Sequence, residues 1–171
     1  VSADAGLDQA VDQDLVRDLA RRIIEQAAPE ELPLLRSTSE RYFADPEKAL
    51  GKRRREQEVL GFGAEAVVAL LSPIVLAVVT DVLKDLAADV ARAAGTRSIA
   101  TIRASLRRLL RLGPAAPETA SPEIAPITPE QLALVRRSAF DRALALDLSE
   151  ARATLLADAL IGSLSPPDRS D

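Results

Sequence analysis

Residues 66–80 read AVVALLSPIVLAVVT, fifteen consecutive positions without a charge, and the place given to them decides the fold. Extending the window back to Leu60 adds only Glu65, which makes 21 residues with one ionisable group. That is about the length that crosses a bilayer, whereas the strictly uncharged part falls between core-helix and membrane-span lengths. If the segment meets lipid, Val67, Val68, Leu70, Leu71, Ile74, Val75, Leu76, Val78 and Val79 are its apolar surface. Lys52, Arg53, Arg54 and Arg55 would then be the basic flank. If it meets protein, it is a central helix that is apolar on all sides because other helices surround it. A third option is a segment that is buried in one state and inserts in another. No Trp or Tyr stands near either end to form an interfacial belt, and basic residues occur on both sides. The core placement is therefore favoured. Pro73 is expected to kink the segment or divide it.

The surrounding sequence supplies the helices that such a core needs. Leu15, Val16, Leu19, Ile23 and Ile24 recur at helical spacing and predict a helix over about 8–27, stopped by Pro29. A shorter helix follows from Glu30 or Pro33 to Ala44, carrying Leu35, Tyr42 and Phe43. Asp45-Pro46-Glu47 has the form of a cap followed by proline at the first helical position. The central segment runs from after Gly63 to about Ala94, and Gly95 sits where a helix C-terminal glycine belongs. Ile99, Ile102, Leu106, Leu109 and Leu110 mark a helix over about 97–112. Five prolines between 114 and 129 mark a linker. Thr128-Pro129-Glu130-Gln131 then has capping-box form and opens a helix striped by Leu132, Val135, Ala139, Ala143 and Leu146. Ser149 precedes a last helix with Leu155, Leu156, Ala159 and Leu160 before Gly162.

The expected architecture is all-α: a bundle over 8–113 with a kinked apolar central helix, a Pro-rich linker at 114–127, a two-helix hairpin at 128–164 and a disordered tail at 165–171. Two helices of that size bury little surface alone, so the hairpin should dock on the bundle or on another chain. Abundant Ala, Leu, Arg and Glu, with seven glycines and four aromatic residues, agree with a helical fold.

Chemistry is constrained by what the 171 residues lack: there is no His, Cys, Met or Trp. A Ser-His-Asp triad, a Cys nucleophile, a thiolate zinc site and an imidazole-ligated metal are therefore excluded. Asp81, Asp85 and Asp89 lie on one helix face, but a helical di-metal centre also uses an inward Glu-x-x-His motif. Gly61-Phe62-Gly63 lacks the preceding strand and Lys-Ser/Thr partner of a phosphate loop. Ser37, Ser39 and Tyr42 lack an identifiable base. Catalysis by carboxylates alone is the one enzymatic route left open. No catalytic residue, cofactor or metal ligand is assigned, and no small-molecule substrate is evident.

The net charge of −4 hides local blocks. Residues 1–51 carry −5, residues 52–55 carry +4, and residues 96–113 hold five Arg and no acid. Arg103, Arg107, Arg108 and Arg111 thus form a candidate partner surface, with pairing to acids of the first helix such as Asp14 and Asp18 as the alternative. The helices on either side of Gly95 invite a ladder of Asp81, Asp85 and Asp89 against Arg111, Arg107 and Arg103. At about 100° per residue the two stripes fall on opposite edges of the hairpin, so no ladder is expected. Nucleic acid is disfavoured by the negative net charge and the lack of interleaved aromatic residues. The expected role is a non-enzymatic helical interaction or adaptor protein, binding a protein partner or itself. Its rival is a membrane-associated or inserting protein built on residues 60–83, and a self-assembling structural protein is a third option. The first residues lack a secretory n-region, so a cytoplasmic location, with membrane association left open, is the expectation.

Overall fold

The computed structural model describes residues 11–51, 70–95, 98–110 and 127–164, and these are helical with no strand among them. In chain order the helices are α1 (Gln13–Ala27), a 3-10 turn (Pro29–Glu31), α2 (Leu32–Ala44), α3 (Ser72–Ala94), α4 (Ile99–Leu109), α5 (Pro129–Ala145) and α6 (Glu150–Leu164). Residues 46–51 form a further helical stretch, opened by the Asp45 carboxylate, which accepts from the Lys48 amide at 2.9 Å. The chain is all-α, as composition and periodicity predict. Residues 1–10, 52–69, 96–97, 111–126 and 165–171 lie outside the described residues, and so do the expected linker, tail and Lys52–Arg55 flank.

The described part of the apolar segment, from Leu71 to Val79, lies in the core. Ile74, Val75, Leu76, Val78 and Val79 are fully inaccessible to solvent, and Leu71 is nearly so. α3 packs against α1, α2, α4 and α5, so neighbours approach it from several sides. That explains why its first half is apolar all round, while its second half buries Val82, Leu83, Leu86 and Ala87 and exposes Asp81 and Asp85. Pro73 lies in the first turn of α3, where a missing backbone N–H costs no hydrogen bond. The part of the segment before Leu70, on which the expected kink or division depends, lies outside the described residues. Leu70 stands before the helix and is exposed.

α1 presents Leu15, Val16, Leu19, Ala20, Ile23 and Ile24 to the same core, and it begins later than the periodicity suggests. Asp12 holds an extended backbone and accepts from the Leu15 amide at 2.7 Å, which sets the first turn at Gln13. At the far end of α3, Gly95 adopts φ 59°, the left-handed turn that only glycine enters without strain. Beyond it, Ile102 and Leu106 of α4 join the core, and Val90 and Leu109 pack against it at the edge.

The C-terminal hairpin docks on the bundle. Thr128 and Gln131 form the reciprocal capping box at 3.2 and 2.9 Å. α5 contacts α3, and α6 contacts α1. Val135, Ala139, Ala143, Leu156, Ala157 and Leu160 belong to the same apolar cluster as Leu19 and Leu83. α6 does not stop at Gly162 but continues to Leu164. A Cβ at Gly162 would lie 3.3 Å from Oε1 of Gln26, so glycine here lets α6 run close to α1.

Candidate functional site

The arginine face of α4 is built into the fold. Arg103 Nε and Arg107 Nη2 each stand 3.2 Å from Oδ2 of Asp12, the residue whose other oxygen caps α1. One carboxylate therefore closes the first turn of α1 and ties it to α4. Arg22 of α1 adds a second tie by donating to the Leu110 carbonyl at 2.9 Å, which satisfies an acceptor at the C-terminus of α4. For Arg103 and Arg107 the structure shows Asp12 as an acid partner, whereas Asp14 pairs within its own helix with Arg17 at 3.1 Å. The N-cap signal of an Asp directly before the first apolar-periodic residue points to Asp14, ahead of Leu15, so local sequence did not single out Asp12. Arg108 is exposed, and Arg111 lies outside the described residues.

The Asp stripe of α3 also finds partners away from α4. Asp81 and Asp85 both face Arg142 of α5, at 3.6 and 2.9 Å, and Asp89 pairs with Arg92 at 2.9 Å. Asp85 and Asp89 thus pair with Arg142 and Arg92, while Arg107 and Arg103 pair with Asp12; the third rung of the ladder, to Arg111, lies outside the described residues. Among the described residues no group of three or more potential ligands is placed to hold a metal ion.

Glu31, which no sequence pattern singles out, is 3% exposed. Its carboxylate accepts from the Leu71 amide at 2.7 Å, the Ser72 amide at 2.8 Å and the Ser72 hydroxyl at 2.6 Å. The buried acid thus serves as the N-terminal cap of α3 from forty residues away, meeting the positive end of the helix dipole. The three bonds give Glu31 a structural role. Ser39, also buried, donates to the Arg36 carbonyl at 2.8 Å and accepts from Arg17 Nε at 3.2 Å. Arg17 lies 5.1 Å from the ring centre of Phe43, a cation–π distance. Burial pushes the Tyr42 hydroxyl above its ordinary pKa, opposed by its hydrogen bond with Thr80. Asp81 adds to the rise and Lys84 offsets part of it.

The described members of the candidate membrane segment, other than Leu70, line the protein core. No helix among the described residues is long and apolar enough to cross a membrane. Val67 and Val68 lie outside them.

Among the described residues, large apolar side chains open to solvent are Leu34 of α2, Leu70 and, on the hairpin, Leu134, Leu144 and Leu155. Leu134 of α5 is 68% exposed and Leu155 of α6 is 46% exposed. Leu134 is off the stripe of Leu132, Val135 and Ala139, a sequence signal that this leucine faces away from the core. It overhangs a groove of about 240 Å³ between α3 and α5, floored by Val82, Leu86 and Val135. Asp85 and Asp89 form the α3 lip, and Gln131 and Ser138 line the α5 side. A second hollow of about 340 Å³ lies between α1 and α2 and is lined by Arg17, Arg21 and Arg36. Each of these arginines is paired with an acid on its own helix.

Comparison with protein-family models, curated proteins and solved structures finds no match for this chain.

Proposed function

We propose that this chain is a non-enzymatic helical protein-interaction module, an adaptor whose contact surface lies on the C-terminal hairpin. The supporting observation is Leu134. A leucine 68% exposed beside an apolar groove costs solvation free energy that a partner's surface would recover. The Arg103, Arg107 and Arg108 face is less suited to the role, since two of its three described members hold Asp12.

The test compares full chains carrying Leu134→Glu, Leu155→Glu or neither, immobilised at equal density and exposed to cell extract under chemical crosslinking. The module predicts discrete crosslinked species that Leu134→Glu removes while the melting temperature stays within a degree or two. Species that are identical for all three chains would place the contact elsewhere. Sedimentation velocity of the same proteins separates a partner from self-association.

A further inference from the structure

We draw no further inference here: the strongest candidate, the shallow apolar groove between α3 and α5 overhung by Leu134, carries nothing because its lip carboxylates Asp85 and Asp89 are already paired with Arg142 and Arg92 and nothing in the structure shows what covers it.

Discussion

The carboxylate of Glu31 takes both the amide and the hydroxyl of Ser72, at 2.8 and 2.6 Å, and so closes the N-terminus of the central helix from the turn before α2. An internal cap would have come from residue 71, but that position is Leu71, a core residue with no acceptor to offer. Packing and capping are thus divided between two segments.

Replacing Glu31 with Ala leaves three buried donors without their acceptor, and the expected loss is about 3 kcal/mol of unfolding free energy. Glu31→Gln retains one acceptor oxygen and should lose less, and Ser72→Ala should lose about 1 kcal/mol. Urea denaturation of the three variants, with an unchanged m-value, checks the order. Equal stability of Glu31→Ala and the wild type would remove the proposed cap.

Asp12 serves α1 and α4 at once, which separates two effects by substitution. Asp12→Asn keeps a side-chain acceptor for the Leu15 amide but gives up the charge facing Arg103 and Arg107. Asp12→Ala loses both, and should be about 1 kcal/mol less stable than Asp12→Asn. A double-mutant cycle between Asp12→Asn and Arg107→Gln should show coupling below about 1 kcal/mol, since the pair is partly open to solvent. Charge reversal at Arg103 and Arg107 is therefore expected to lower stability as well as any binding, and thermal melting must accompany every binding assay that uses it.

Tyr42 is the only Tyr, and there is no Trp, so the ultraviolet band of its phenolate reports on one site. Burial raises its pKa above the ordinary tyrosine value of 10.0. The folded state then holds the proton more tightly than the unfolded state, so stability is unaffected below pH 10 and falls as the pH rises from there through the folded-state value. The phenolate should appear at higher pH in the native protein than in urea. Tyr42→Phe should abolish this component of alkaline destabilisation, and identical titrations in the two states would contradict the burial.

Leu76 and Leu70 bracket the placement of the apolar segment. Leu76 is fully buried, so Leu76→Ala should cost about 3–5 kcal/mol through lost transfer energy and an incompletely collapsed cavity. Leu70 is exposed, and Leu70→Ala should change stability by no more than about 0.5 kcal/mol. Calorimetry of both variants in aqueous buffer reads the difference directly. A small effect at Leu76 would be incompatible with its place among α1, α2, α4 and α5.

Signals within one turn of chain were legible before any tertiary contact was known. Thr128 with Gln131, Asp45 before Pro46, and Gly95 after Ala94 act locally, through a side chain and a backbone group three or four residues apart or a single left-handed φ. The Asp–Arg ladder could be rejected on the same ground, because the angular position of Asp85 or Arg107 on its helix depends only on sequence spacing. Pro73 was ambiguous for a related reason. Proline both starts helices and bends them, and its role depends on whether the residues before it are helical.

By itself, then, the amino-acid sequence determined the helical class, most helix ends and the chemistries that lack of His and Cys forbids. Those properties follow from backbone propensity, side-chain periodicity and residue inventory. Only the tertiary structure decided that residues 71–79 are enclosed by protein, that Glu31 caps a helix forty positions away, that Asp12 holds the arginines of α4, and that Leu134 is left uncovered. An apolar run demands removal from water without specifying what removes it, and a charge demands a partner without specifying which. Packing geometry supplies both answers.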